Sequence, residues 1–248
     1  MKLLFVAIFT TAFLNAATIY SIVDLGPPDE STVITSNVGT FPGGSWSAVY
    51  GTNASGAVAG YGDNGDGHFR AFIWTPSAGM TALGTLGGLD SWGMGISDSG
   101  SVTGHSTISS GFIHAFAWWG GPLVDLGTLG GTSSYGYGIN DSGAVVGTGD
   151  LPDGSMHAFL STGGQMLDLN SLISAGSGWV LTGAYTINDL GRITGTGIHN
   201  GDSRQFELDP SVTLSASDTV LAAPEPSTVG LVGMLLAMVG CVRFKRRR

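Results

Sequence analysis

Tyr135-Gly-Tyr-Gly-Ile-Asn-Asp-Ser-Gly-Ala-Val-Val-Gly147, followed by His157-Ala-Phe-Leu160 and Met166-Leu-Asp-Leu169, is a unit that recurs along the chain. Related units begin at Ala48, Trp92 and Tyr185. Their equivalent phenylalanines are 44, 43 and 47 residues apart, at Phe72, Phe116, Phe159 and Phe206. A repeat of about 43 residues with several short apolar runs has the size of one β-propeller blade.

Each unit predicts four short strands. An Asn-x-x-Gly segment such as Asn140–Gly143 fits a type I turn, because Asn accepts a backbone bond at its start and Gly tolerates positive φ at its end. This turn would join the first and second strands of an antiparallel hairpin. The third strand carries Ala-Phe-x-Trp, whose aromatic ring fills space between sheets, and the fourth carries Leu-x-Asp-Leu with a period of two.

The two ends of the repeat region predict how the array is completed. Ile19–Gly26 resembles the fourth-strand segment but stands alone at the start, whereas the last unit has no clear fourth strand. The N-terminal strand could therefore complete the last blade. We predict an all-β repeat array of about four four-stranded blades, forming a small β-propeller closed by the N-terminal strand. The alternative is an open β-array whose edges need partners.

Both termini carry export signals. Lys2, the uncharged stretch Leu3–Leu14 and small residues at 16 and 17 predict a signal peptide over residues 1–17. We expect the repeat domain over residues 18–212 and a linker over 213–223. The remaining tail, residues 224–248, contains Pro224-Glu225-Pro226, an apolar run and a basic cluster of Arg243, Lys245, Arg246, Arg247 and Arg248.

The apolar run predicts a C-terminal membrane helix. Its 16 residues, Ser227–Val242, span about 24 Å as a helix, which suits a thin or locally compressed bilayer. The basic cluster should stay on the cytoplasmic side. This three-part tail resembles the PEP-CTERM sorting signal of Gram-negative bacteria, and the resemblance implies recognition and cleavage by an exosortase. The protein would be anchored in the inner membrane before processing and then reach the cell surface or the extracellular space. An ordinary short anchor is the alternative.

The repeat itself has a family resemblance. His-Ala-Phe, Asp-Leu-Gly-Thr-Leu-Gly-Gly and Gly-Ile-Asn-x-x-Gly recur in order over roughly residues 19–208. They resemble the HAF repeats of extracellular bacterial proteins, which implies an extracellular location and a propeller but no established chemistry. Arg70 and Arg204 stand where that family has His, so the repeated His is not indispensable here.

Charge and cysteine content exclude some functions. The whole chain has a formal charge of −9, but residues 18–223 keep three arginines against 17 acidic residues, a net charge of −14. Such a surface repels phosphate backbones, so we do not expect nucleic-acid binding. The only cysteine, Cys241, lies in the apolar tail, so the exported region has no disulfide.

Two candidate binding sites lie among the residues outside the repeat consensus. Trp46 and Trp119 are the tryptophans least tied to the repeat, and a flat ring with a polar edge suits the face of a sugar. Asp63, Asn64 and Asp66 form a loop that could offer oxygen ligands to Ca²⁺. No Glu follows at the closing position of an EF-hand, however, and Asp, Asn and Gly are also what a tight turn requires.

Repeated polar positions are the remaining candidates. His114 and His157 occupy one position of the repeat, and Asp24, Asp125 and Asp168 occupy another. Their recurrence favours a structural role over a catalytic one, because catalysis usually depends on one asymmetric group of residues.

No nucleophile elbow, zinc-protease or phosphate-loop motif is present, and we expect no cofactor. We therefore predict a non-enzymatic surface or extracellular-matrix protein associated with exopolysaccharide or envelope glycan. The alternative is a carbohydrate-active enzyme with a site in the propeller channel, which would need paired carboxylates in one pocket.

Overall fold

The computed structural model describes residues 18–26 and 38–213, and all of these residues except Thr213 belong to a compact unit that runs over Thr18–Val212. These residues form an all-β structure of four antiparallel sheets, each with four strands. None of the helical segments within them is long and apolar enough to span a membrane. The predicted signal peptide, the predicted linker beyond residue 213 and the predicted sorting tail lie outside the described residues.

The strands follow the repeat in chain order. The N-terminal strand, β1, is Thr18–Gly26. The first sheet contains β2, Ser47–Thr52; β3, Val58–Asp63; β4, Phe69–Thr75; and β5, Gly79–Gly84. The second sheet contains β6, Gly87–Ile96; β7, Val102–Ile108; β8, Ile113–Trp118; and β9, Val124–Asp125.

The third and fourth sheets repeat this order with one exchange. The third sheet contains β10, Ser134–Ile139; β11, Val145–Asp150; β12, Met156–Thr162; and β13, Gln165–Asp168, after which Leu169–Leu172 forms a short 3₁₀ helix. The fourth contains β14, Trp179–Ile187; β15, Ile193–His199; and β16, Asp202–Thr213. Its fourth strand is β1, which lies next to β16. The prediction that the N-terminal strand completes the last sheet is confirmed.

The predicted turns join the first and second strands of each sheet. In the third sheet, the backbone N–H of Gly143 donates to the carbonyl of Asn140 over 3.0 Å. The Asn140 side-chain oxygen accepts from the N–H of Ala144 over 2.9 Å. All four turn glycines have φ between 79° and 87°, as predicted: Gly56, Gly100, Gly143 and Gly191.

The core lies between neighbouring sheets. Ala59 and Ile73 of the first sheet pack with Phe116 of the second, and the second and third sheets form an equivalent cluster around Phe159. Phe206 forms the same contact between the third and fourth sheets. The core phenylalanines, which also include Phe72 of the first sheet, are 0% exposed, which confirms the predicted role of the repeated aromatic residue.

Glycines allow the first strands of neighbouring sheets to approach closely. A Cβ atom on Gly95 would lie 2.4 Å from the carbonyl oxygen of Tyr137, and one on Gly138 would lie 2.7 Å from that of Tyr185. Real Cβ atoms do not tolerate such distances from backbone. The repeated Gly-x-Gly-Ile block is therefore the sequence signature of the sheet-to-sheet junction.

The first and last sheets end the array differently. Val38 and Phe41 cover the outer face of the first sheet, where the rings of Phe41 and Phe72 are 6.0 Å apart. The corresponding face of the fourth sheet carries the half-buried residues Thr194, Gln205 and Glu207. Three junctions connect the four sheets; within residues 18–26 and 38–213, no core cluster joins the fourth sheet to the first.

Candidate functional site

A continuous row of aromatic side chains crosses the first three sheets. Neighbouring rings in this row have centroids 5.1 to 6.4 Å apart. We call it the aromatic band; it comprises Trp46, Tyr50, Tyr61, Phe69, Trp92, His105 and Tyr135.

The repeat places the band along the sheet junctions. Tyr61 and His105 occupy the same position of the second strand, where each lies opposite an alanine of the third strand. Trp92 and Tyr135 occupy the same position of the first strand. Their ring contacts cross from one sheet to the next: Tyr61 lies 6.4 Å from Trp92, and His105 lies 5.1 Å from Tyr135. The band is therefore a product of the same junctions that build the core.

The band opens to solvent at its first-sheet end. Trp46 is 40% exposed and Tyr50 is 39% exposed, although both contact Tyr61. The Trp46 ring meets the Tyr61 ring at a centroid distance of 5.6 Å and an angle of 82°. The Tyr50 ring stacks on Tyr61 at 5.3 Å, and the two hydroxyl oxygens are 3.3 Å apart. This end presents aromatic surface with hydroxyl groups at its rim.

Burial keeps the interior of the band uncharged. Burial raises the pKa of Tyr61 to about 12, with a further contribution from its hydrogen bond to Tyr50, so its phenol stays protonated. Burial also lowers the pKa of His105 to about 4. His105 stacks on Trp92 at 5.1 Å, and its Nδ1 is buried with no hydrogen-bond partner in the described part of the chain.

The two predicted tryptophans do not form one site. Trp46 immediately precedes β2, at the end of the sheet where that strand begins. Trp119 follows β8 and is 52% exposed, with its indole nitrogen 3.0 Å from where a Cβ on Gly143 would lie. Because Gly143 belongs to the turn that ends a first strand, Trp119 lies at the opposite ends of the sheets from Trp46.

In the predicted calcium loop, the side-chain oxygen atoms accept hydrogen bonds from nearby groups of the chain. Asp63 accepts from the Gly65 N–H at 2.8 Å and from the Ser45 hydroxyl at 2.9 Å. Asn64 accepts from the Asp66 N–H, and Asp66 accepts from the His68 N–H. Among residues 18–26 and 38–213, no group of three or more acidic, His or Cys side chains is placed to hold a metal ion. Calcium binding here stays a prediction that these contacts do not test.

The repeated His and Asp residues join the third strand to the fourth. Nδ1 of His114 lies 2.9 Å from a carboxylate oxygen of Asp125, and Nδ1 of His157 lies 2.7 Å from Asp168. Both carboxylates also accept a backbone N–H two residues later in the chain. These contacts fit the structural interpretation, in which each pair fastens an edge strand to its sheet.

Asp24 has a different contact. It lies 3.2 Å from Nδ1 of His199, on the second strand of the fourth sheet, instead of contacting a third-strand histidine. Arg204 holds the third-strand position here, and its guanidinium lies 3.4 Å from Asp202. His199 also stacks on Trp179 at 4.5 Å.

A cavity of about 230 Å³ lies among the turns of the second, third and fourth sheets. Its carboxylates accept hydrogen bonds from neighbouring turns. Asp98 accepts the Ala54 N–H at 2.8 Å, and Asp141 accepts the Ser99 N–H at 2.6 Å. Asp189 accepts the N–H of Asp141 at 2.9 Å. The Ser99 N–H is the main cause that lowers the pKa of Asp141. The cavity is thus lined by regular repeat positions, although these contacts do not test the alternative of a carbohydrate-active enzyme.

Sequence reasoning selected Trp46 but missed most of the aromatic band. The missing signal was an alignment of the repeats position by position: Tyr61 aligns with His105, and Trp92 aligns with Tyr135. Two aligned aromatic positions on adjacent strands predict ring contacts across each junction. Comparison with known proteins adds no further assignment, because no family model and no curated protein matches the chain.

Proposed function

We propose that the protein is an exported bacterial surface or extracellular-matrix protein that binds exopolysaccharide or envelope glycan without transforming it. The observation that carries this proposal is the solvent-exposed end of the aromatic band, where Trp46 and Tyr50 lie beside Tyr61. Aromatic rings offer a large apolar face at low entropic cost, and their polar edges form hydrogen bonds. A pyranose ring has the matching combination of an apolar face and a rim of hydroxyl groups.

The sequences of the two chain ends support the proposal that the protein is exported. The predicted signal peptide and the Pro224-Glu225-Pro226 tail with its basic cluster support transport across the inner membrane, followed by processing by an exosortase. A host that lacks exosortase should retain the full-length chain in its inner membrane. If the tail stays uncleaved in the normal host, the protein is instead an ordinary membrane-anchored one.

The proposal does not require the closed propeller predicted from the sequence. Closure would place the outer face of the fourth sheet against that of the first. The fourth sheet presents Thr194, Gln205 and Glu207 there, and Phe41 already covers the first sheet. We infer an open array, in which the preceding segment covers the outer face of the first sheet and polar residues line the outer face of the fourth. Terminal repeats of such arrays need polar outer faces.

A pull-down on the host's own exopolysaccharide tests the binding function. Full-length protein in mild detergent is mixed with the immobilised polymer, with and without Ca²⁺. We expect saturable binding that Trp46→Ala weakens and that Trp119→Ala leaves unchanged, since only Trp46 lies in the aromatic band. Dependence on Ca²⁺ would support the predicted site at Asp63, Asn64 and Asp66. Absence of saturable binding in both conditions would refute the proposal.

A further inference from the structure

We propose that the exposed end of the aromatic band binds a polysaccharide that carries free, protonated amino groups. This inference rests on the proposed glycan-binding function and narrows its ligand class. It starts from a carboxylate beside the rings: Asp63 follows Tyr61 by two residues on β3, so both side chains lie on the same face of the sheet. The N–H of Asp63 donates to the carbonyl of Trp46 at 3.1 Å, and Asp63 lies opposite Phe69 in the neighbouring strand.

This carboxylate keeps its negative charge. The Gly65 N–H and then the Ser45 hydroxyl lower the pKa of Asp63, and both donors are neutral groups that leave the charge uncompensated. Asp66, an exposed residue of the same loop, supplies a second carboxylate. A cationic group on a ligand would therefore meet ionised oxygen atoms beside the aromatic faces.

Arginine and lysine side chains do not cancel this charge beside the rings. Arg70 is the only arginine or lysine in the first sheet, and it follows Phe69 directly, so it points to the other face. Its guanidinium donates to the carbonyl groups of Phe69 and Leu89. The two other arginines of the described chain, Arg192 and Arg204, pair with acidic residues of the fourth sheet.

Aromatic rings and carboxylates together select for an ammonium group. The face of a Trp or Tyr ring attracts a cation through its quadrupole, and the neighbouring carboxylate adds a direct electrostatic attraction. Residues 18–223, with three arginines against 17 acidic residues, repel polymers of uronic acid or phosphorylated sugar. A polymer of de-N-acetylated amino sugars supplies both an apolar sugar face and the cation.

Four hexasaccharides that differ mainly in charge test this inference. Binding to the full-length protein in micelles is measured by titration calorimetry for β-1,4-linked glucosamine, its N-acetylated form, cellohexaose and an oligomannuronate. We expect the amine form to bind about tenfold more tightly than cellohexaose, and the mannuronate not to bind. Raising the ionic strength to about 1 M, where the screening length is about 3 Å, should remove most of this preference.

Three variants locate the site. Trp46→Ala should weaken the amine and neutral oligosaccharides alike, because it removes a stacking ring. Asp63→Asn should reduce binding of the amine form to the level of cellohexaose, since Asn still accepts a hydrogen bond but carries no charge. Trp119→Ala is the matched control at the opposite ends of the sheets and should change nothing. Circular dichroism checks that each variant folds, and the comparison of acetylated with free amine needs no variant.

The outcomes separate the two proposals. Equal affinity for amine and neutral oligosaccharides, both weakened by Trp46→Ala, would overturn the charge selectivity and leave the glycan-binding function standing. Loss of binding in Trp119→Ala but not in Trp46→Ala would overturn the location. Failure of every oligosaccharide and of the host polymer to bind would overturn both proposals.

Discussion

At the residue scale, a glycine lies beneath the ring of each core phenylalanine. A Cβ on Gly104 would lie 1.8 Å from the carbonyl oxygen of Trp92 and 3.0 Å from the ring of Phe116. The bulge in the first strand, between Gly93 and Gly95, adjoins this carbonyl. This glycine of the second strand is thus required by packing on both sides, and the equivalent glycines at 60, 147 and 195 meet the same contacts.

Gly104→Ala should therefore destabilise the fold. The added methyl group has to displace backbone on one side and a fully buried ring on the other, which costs about 3 kcal/mol or more. Gly121→Ala is the control, because a Cβ there meets no atom within 4 Å. Urea denaturation should show a lower midpoint for the first variant and almost no change for the second. Equal midpoints for the two variants would show that the junction can relax.

His105 makes stability depend on pH. Its folded-state pKa of about 4 lies below the ordinary value of 6.5, because the band between Trp92 and Tyr135 shields it from water. The unfolded chain then binds the proton more readily. This stability contribution is fully present above pH 6.5 and is lost as the pH falls towards 4, with a maximum loss of about 3 kcal/mol.

His105→Phe should remove this acid sensitivity, since it keeps a ring between its neighbours but cannot bind a proton. Comparing the free energy of unfolding at pH 7 and at pH 4.5 measures the effect. The carboxylates whose pKa is lowered, such as Asp141, contribute stability that is lost mainly as the pH falls below their unfolded value of 3.8, so they add little to the change between pH 7 and pH 4.5. An unchanged pH slope in the variant would show that His105 is not the cause.

At the scale of the elements, the turns connect each sheet to the next. Asn140 accepts from Ala144 within its own turn, and its amide donates to the carbonyl of Asn188 in the following turn at 3.0 Å. Asn53 makes the same cross-turn bond to Ser97. One short segment therefore ends a hairpin and also holds the neighbouring sheet in register.

Asn140→Ala should cost about 2 kcal/mol, because the side chain is only 5% exposed and its removal leaves buried backbone groups without partners. Asn64→Ala is a suitable control, since its oxygen accepts a single bond, at 3.3 Å, from the N–H of Asp66 in a loop. Thermal unfolding should separate the variants clearly. A loss in Asn140→Ala no larger than in Asn64→Ala would assign no stabilising role to the side-chain hydrogen bonds of Asn140.

At the scale of the whole described array, the first and last repeats depart from the consensus where a ring would close. Ala54 occupies the turn position at which the other turns have an aspartate that accepts the preceding turn. Thr186 stands in the fourth repeat at the position that Gly95 and Gly138 occupy in the second and third repeats. At those two positions the glycine allows the first strand of the next sheet to approach closely. Both departures remove a junction contact, and both are expected for terminal units of an open array.

Paired cysteines test whether the ring closes. In a Cys241→Ser background, Ser99→Cys with Asp141→Cys should form a disulfide on oxidation, because the Ser99 N–H bonds to the Asp141 carboxylate. Leu190→Cys with Ala54→Cys occupies the same two turn positions across the first and fourth sheets. We expect this second pair to remain reduced, as measured by electrophoresis without reductant and mass spectrometry. A disulfide in the second pair would establish closure.

The sequence by itself determined the repeat, the four-stranded sheets, the position of the glycine-containing turns and the buried phenylalanine. All of these depend on local periodicity, on glycine in the turns and on one apolar residue per repeat, such as Phe116. It also indicated that β1 completes the last sheet, because an unpaired fourth-strand segment stood at one end and a gap at the other.

Only the tertiary structure decided which polar and aromatic residues meet. Asp63 and Asp66 had the composition of a metal loop, but their oxygen atoms accept N–H and hydroxyl groups of nearby chain segments. Trp46 and Trp119 looked equivalent, yet only Trp46 joins the aromatic band. The physical reason is that the band arises from contacts between adjacent sheets. Their geometry depends on how closely the glycines allow the strands to approach, and the period of a single repeat does not encode that distance.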